Sequence, residues 1–143
     1  MTSPNDTDDV IADILRRANT IAVVGLSDNP ERPSYGVATV LEREGFTVIP
    51  VNPLLRTWRG RTVYPNLQSI PVPVDIVNVF RRVEHVDKIA EDAIEIHTET
   101  LWLQTGIVHE GAARKARSAG LNVVMDRCIA VDVLLLLQHR TRY

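Results

Sequence analysis

The sequence predicts an α/β protein, a doubly wound parallel sheet of about five strands in the order 3-2-1-4-5 with helices on both faces. Three observations carry that expectation. Short apolar runs alternate along the chain with amphipathic segments of helical spacing, the pattern of β-α-β units joined by right-handed crossovers. The first run, Ile21-Ala22-Val23-Val24, is continuously apolar, as a parallel strand buried on both faces requires. That run passes through Gly25 into a polar, proline-rich loop and then into Pro33-Ser34, which reads as the opening of a helix. Strand, glycine and helix N-terminus in that order are how such folds present backbone N–H groups to an anion.

Residues 1–6 read as a loose tail. Thr7 to Ala18 reads as a helix, with Val10, Ile11, Ile14 and Leu15 on one face, Asp8 and Asp9 at its start and Arg16 and Arg17 at its end. After the first strand and its loop, Tyr35 to Glu44 carries Val37, Val40 and Leu41 at helical spacing, and Gly45 closes it. Phe46 to Val51 is the second strand, ending in the turn pair Asn52-Pro53. Residues 54–73 read as irregular, with a short helical turn at Asn66 to Ile70. Asp75 to Phe80 is the third strand. Glu84 to Ile96 is a helix that turns Val86, Ile89, Ala90 and Ala93 inward. Thr100 to Leu103 is the fourth strand, His109 to Ala119 an alanine-rich helix closed by Gly120, Leu121 to Met125 the fifth strand, and Ala130 to Gln138 a last apolar helix. The order 3-2-1-4-5 puts the topological switch between strands one and four, with a ligand crevice outside their carboxyl ends. The loops Gly25–Ser34, Asn52–Arg61, Phe80–Val83 and Gln104–Val108 meet at that edge.

The totals restrict the function. With 143 residues, 45% apolar and 24% charged, the expectation is a single domain over 1–143, without internal repeat or linker. A net charge of −2 gives no general attraction to nucleic acid or to an anionic membrane, so an anion site has to be a local cluster. The single cysteine, Cys128, rules out an internal disulfide and suits a reducing cytosol. The start MTSPNDTDD is acidic, unlike a secretory leader, and the apolar stretch from Val131 to Leu137 is too short to span a membrane. The expected location is cytoplasmic.

Two nucleotide motifs fail. A nicotinamide or flavin fingerprint needs G-x-G-x-x-G after strand one and an acid at the end of strand two. Here the loop runs Gly25-Leu26-Ser27-Asp28-Asn29-Pro30, and strand two ends in Asn52-Pro53. No Gly-Lys-Ser/Thr of a P-loop occurs. What the loops hold is arginine: Arg32 after strand one, Arg56, Arg59 and Arg61 after strand two, Arg81 and Arg82 after strand three. Guanidiniums gathered along one edge of an acidic chain suit a ligand with several phosphates, and coenzyme A, with a pyrophosphate, a ribose 3′-phosphate and a long amide arm, is such a ligand.

Ala22-Val23-Val24-Gly25-Leu26-Ser27 with Pro30-Glu31-Arg32-Pro33-Ser34-Tyr35-Gly36, then Val48 to Pro53, Val74 to Arg81, Leu101 to Gly106 and Val123 to Cys128, form an ordered series over nearly all of residues 18–130. By this series the chain resembles the stand-alone CoA-binding domain family, Rossmann-like proteins similar to the CoA-binding domain of succinyl-CoA synthetase. The resemblance implies that Gly25, Ser27, Arg32, Ser34, Tyr35 and Gly36 hold the pyrophosphate. It implies that Asn52, Pro53 and Arg56 meet the adenosine and 3′-phosphate end, that Val79, Phe80 and Arg81 line the adenine or pantetheine, and that Gln104 and Gly106 face the thiol arm. Relatives tend to carry lysine just after the Asn-Pro turn. Here Leu54-Leu55 intervene, so Arg56 has to serve.

No catalytic or metal constellation is visible. His85, His97, His109 and His139 are scattered, none at ligand spacing from another, and His109 suits a helix cap. Cys128 reads as a small buried thiol, with a reactive thiolate beside the positive charge of Arg127 as the alternative, Asp126 and Arg127 as a mutual pair or a cap of the last helix, and Trp58 as a loop aromatic able to cover bound adenine. The expectation is a protein that binds CoA or an acyl-CoA non-covalently without chemistry of its own, with a protein partner or a homodimer as possible assemblies. Two rivals stand beside it: a partner-dependent subunit of an acyl-CoA ligase or transferase, and an NAD(P)-binding regulator or reductase.

Overall fold

A computed structural model describes residues 7–137 of the chain. The expected tail 1–6, together with Gln138 and His139, lies outside the described residues. Helix α1 spans Asp8–Arg17, with the Thr7 hydroxyl accepting from the Val10 N–H at its start and two arginines in its last turn. Strand β1 is Thr20–Val24, helix α2 Pro33–Arg43 with its proline in the first turn, and strand β2 Thr47–Val51. A small antiparallel hairpin follows, β3 (Thr57–Trp58) and β4 (Arg61–Thr62). Strand β5 is Ile76–Val79, helix α3 Val86–Glu95, strand β6 Thr100–Leu103, helix α4 Glu110–Ser118, strand β7 Asn122–Val124 and helix α5 Ile129–Leu136.

The five long strands pair in parallel, and helices cover both faces, so the Rossmann-like α/β class is as expected. The strand order differs from the expected 3-2-1-4-5. It is β2-β1-β5-β6-β7, which places the third long strand beside the first, with Ile21 opposite Ile76 and Val24 opposite Val79. The switch point therefore lies between β1 and β5. Pro50 gives the physical reason. Without an N–H it suits an edge strand, whereas the expected order would have buried β2 between two neighbours. The outer side of β2 is covered instead by residue 64: Tyr64 N–H donates to the Pro50 carbonyl at 3.0 Å, and Asn52 N–H to the Tyr64 carbonyl at 2.9 Å.

Residues 54–73 are more ordered than their composition suggests. Arg59 and Gly60, at φ 48° and 79°, make the two-residue turn of the β3–β4 hairpin, and an X-Gly pair between Trp58 and Arg61 was the available signal. The expected turn near Asn66 is a 3-10 helix at Leu67–Ser69, its N-terminus capped by the Asn66 side chain.

Two apolar layers sandwich the sheet, because alternate residues of each strand face opposite sides. Ile21, Val23, Ile76, Trp102 and Val124 pack against α1, α2 and α5. Ala22, Val77, Val79, Leu101 and Val123 pack against α3 and α4. The inward residues expected of α3, Val86, Ile89, Ala90 and Ala93, are all buried.

Candidate functional site

At the carboxyl end of β1 the chain turns sharply. Gly25 has φ +89°, and a Cβ built on it would lie 2.6 Å from the Phe80 carbonyl oxygen and 2.9 Å from Cδ of Arg81. Only glycine permits this approach. It is a direct result of the strand order, since β5 ends at Val79 beside β1. Two hydrogen bonds fix the junction: Gly25 N–H to the Val51 carbonyl and Phe80 N–H to the Val24 carbonyl, each 2.8 Å.

The loop beyond Gly25 is tied down from three sides. Ser27 N–H donates to Oγ of Ser34, a buried residue in the first turn of α2, at 3.0 Å. Asn52 Nδ2 donates to the Leu26 carbonyl at 2.9 Å, and Trp58 Nε1 to the Ser27 carbonyl at 3.1 Å. The amides of Gly25 and Ser27 are thus engaged by the fold. Those of Leu26 and Ser34 have no partner among the described residues, and the Ser34 amide lies in the first turn of α2, where an anion is stabilised.

Two cavities open at this edge, and both are lined by Phe80 and Arg81. The larger, about 660 Å³, is bounded by Gly25, Arg32, Asn52, Pro53, Leu54, Arg82 and His85. The second, about 410 Å³, is bounded by Pro33, Val37, Gln104, Thr105, Ile107 and Cys128. The first is rich in guanidinium and the second mostly apolar. A smaller cleft of about 170 Å³ extends from Pro53, Arg81 and His85 toward Leu67 and Lys88.

The arginines expected to act together divide into two sets. Arg32, Arg81 and Arg82 line the larger cavity. Arg59 and Arg61 both pair with Glu42 near the far end of α2, Arg59 at 3.6 Å, and Arg59 also donates to Oγ1 of Thr39 and stacks over Trp58 and Tyr35. Arg56 is exposed ahead of the hairpin and lines none of the three clefts. Tyr35 packs edge-on against Trp58, ring centres 5.3 Å apart, and Gly36 is exposed. Trp58 is 1% exposed and belongs to the core, so it supports the loop through its indole N–H and is not placed to cover an adenine. Val79 is fully buried among the residues under α3 and does not line either cavity, whereas Phe80 lines both.

Gln104 is 6% exposed and held in place. Its Oε1 accepts from Nδ2 of the fully buried Asn78 at 3.0 Å and from Ile129 N–H at 3.3 Å. Gly106 N–H donates to Oδ1 of Asp126, at 2.7 Å, which fixes the loop after β6. Asp126 and Arg127 do not pair with each other. Arg127 forms a bidentate contact with buried Asp132 of α5, 2.8 and 2.9 Å, and reaches Asp8 of α1 at 3.0 Å. The Asp132 carboxylate, then Asp8, holds this guanidinium even more firmly protonated than usual. His109 caps α4, its Nδ1 accepting from Ala112 N–H at 2.9 Å. Among the described residues no group of histidine, cysteine and carboxylate is arranged to hold a metal, and no helix is long and apolar enough to cross a membrane.

Sequence reasoning passed over His85, Lys88 and Cys128 as site residues. Arg82 was noted as a cation but not as a wall of the cavity. The first two lie on the turn and helix after Arg81-Arg82, so the run of cations beyond strand three was a signal for them. Cys128 is half-buried and not enclosed in the core, which corrects its reading as a buried structural thiol.

Comparison with known proteins identifies the family. A family model described as the CoA binding domain matches residues 19–133. The uncharacterized protein YneT of Bacillus subtilis (strain 168) is 42% identical over 121 residues, covering 85% of this chain and 90% of YneT. A hypothetical protein from Pyrococcus horikoshii OT3 superposes with a TM-score of 0.89 at 33% identity, over 96% of this chain and 99% of that one. A Thermus thermophilus protein superposes at 0.87 and 32% identity, over 91% and 98%. The chain belongs to the CoA-binding domain family.

Proposed function

We propose that this protein binds coenzyme A, or an acyl-CoA, non-covalently in the two cavities that share Phe80 and Arg81, acts in the cytoplasm and performs no catalysis by itself. The observation that carries the reading is the pairing of a cation-lined cavity with an apolar one across that shared pair. CoA has the matching halves, a polyanionic nucleotide and a long, weakly polar arm. The diphosphate lies against Arg32, Arg81 and the free amide of Ser34 at the start of α2, where guanidinium and helix terminus act on the same charge. The arm runs past Phe80 into the cavity beside Val37, Gln104 and Ile107. Arg82 and His85 take the role assigned to Arg56, the contact with the 3′-phosphate, because they line the cavity and Arg56 does not.

Thermal unfolding with CoA, dephospho-CoA, NAD and NADP in turn tests this. CoA at about 100 times its Kd stabilises the fold by roughly 2.7 kcal/mol, or roughly 8 °C for a chain of this length. Dephospho-CoA gives a smaller shift, and the nicotinamide nucleotides give none. A shift with NAD and none with CoA refutes the proposal.

A further inference from the structure

Non-covalent binding leaves Cys128 without a role, yet its surroundings suit one. Cys128 is the residue before α5, with extended backbone and no side-chain bond to the helix it precedes, so its thiol is not used as a cap. It is half-buried and lines the 410 Å³ cavity together with Pro33, Phe80 and Gln104. As the sole cysteine of the chain, it has no internal disulfide partner.

A second observation points to a ligand in the same cavity. Gln104 is 94% buried, and its Oε1 is held by Asn78 and by the N–H of Ile129, the residue next to Cys128. Its Nε2 has no partner among the described residues, and the side chain lines the cavity. That amide N–H group is open toward the cavity and can donate to an acceptor on a bound ligand. The pantetheine arm of CoA carries amide carbonyls shortly before its thiol. A carbonyl received by Gln104 therefore brings the end of the arm to the wall that holds Cys128.

We propose that Cys128 is a thiol–disulfide exchange site for coenzyme A. The inference rests on the CoA-binding reading given above. The Cys128 thiol loses its proton to solvent and the thiolate attacks one sulfur of CoA disulfide seated in the cavities. The S–S bond of CoA disulfide breaks, a Cys128–S–S–CoA bond forms, and the second CoA departs as a thiolate that takes a proton from solvent. The cysteine is oxidised and CoA disulfide, the co-reactant, is reduced. A further thiol reverses the step.

The test treats the full-length reduced protein with CoA disulfide or, separately, glutathione disulfide at equal concentration and follows intact mass without reductant. A single CoA adduct forms, dithiothreitol removes it, and Cys128→Ser or Cys128→Ala does not form it. Binding concentrates the disulfide at the thiol, so CoA disulfide reacts at least about tenfold faster than glutathione disulfide. Excess S-methyl-CoA, which competes for the cavities but has no thiol to reverse the step, removes that advantage. Melting of either cysteine variant with reduced CoA measures non-covalent binding separately. A retained melting shift with equal rates for the two disulfides overturns the exchange and leaves CoA binding standing. Absence of the melting shift in the wild-type protein overturns both.

Discussion

Replacing Gly25 with alanine tests the contact on which the site is built. The new Cβ meets two separate costs. The backbone there has φ +89°, and an L-residue in left-handed conformation loses roughly 1–2 kcal/mol, partly offset by the stiffer unfolded chain. In addition the Cβ falls 2.6 Å from the Phe80 carbonyl oxygen and 2.9 Å from Cδ of Arg81, far inside the roughly 3.5 Å at which such atoms rest. The Arg81 side chain can swing away, but the Phe80 carbonyl belongs to backbone bonded to Val24 and has to be displaced, an overpacking cost of about 1–3 kcal/mol. Gly106 is the control. Its φ is +84°, and nothing lies within 4 Å of a Cβ placed on it, so Gly106→Ala carries the first cost alone. Gly25→Ala is thus expected to lose roughly 2–4 kcal/mol and Gly106→Ala about 1 kcal/mol. At about 3 °C per kcal/mol for a chain of this size, the melting temperatures of the two variants separate by several degrees. Urea unfolding gives the same difference in free energy. Because Phe80 and Arg81 wall both cavities, Gly25→Ala also weakens CoA binding at temperatures where it remains folded. Equal destabilisation of the two variants would show that the approach of the two strand ends is not what requires glycine.

Further outcomes follow from the same geometry. Asp132→Ala removes the bidentate partner of Arg127 while Asp8 still pairs with it, and a loss of about 1.5–3 kcal/mol in chemical unfolding is expected; a change under about 0.5 kcal/mol contradicts the pairing. Arg82→Ala weakens CoA about tenfold by calorimetry and dephospho-CoA much less, whereas Arg59→Ala, whose charge is spent on Glu42, changes neither by more than about twofold. If Arg59 proves the more sensitive position, the division of the arginines is wrong. Trp58→Phe keeps a ring in the core but removes the donor to the Ser27 carbonyl, so about 1 kcal/mol of stability is lost and CoA affinity falls several-fold; unchanged affinity shows that the loop holds its shape without the indole.

What the sequence determined by itself was local. Continuous apolar runs, helical spacing, the His109 cap, and the glycine that ends β1 are all set by neighbours a few residues away, and each is found where the pattern put it. The edge at which loops gather was legible for the same reason, since parallel strands carry all their carboxyl ends to one side. Only the tertiary structure decided which strand lies beside β1. That choice brings Phe80 and Arg81 against Gly25, sends Arg59 and Arg61 to Glu42, and buries Trp58 under the loop. It also sets Cys128 beside Gln104 on a cavity wall, although they stand 24 positions apart in the chain. Pairing of this kind depends on long-range hydrogen bonds and on which edge the hairpin covers. An arginine reads the same in sequence whether a carboxylate or a cavity faces it, so spacing along the chain could gather the cations but not divide them.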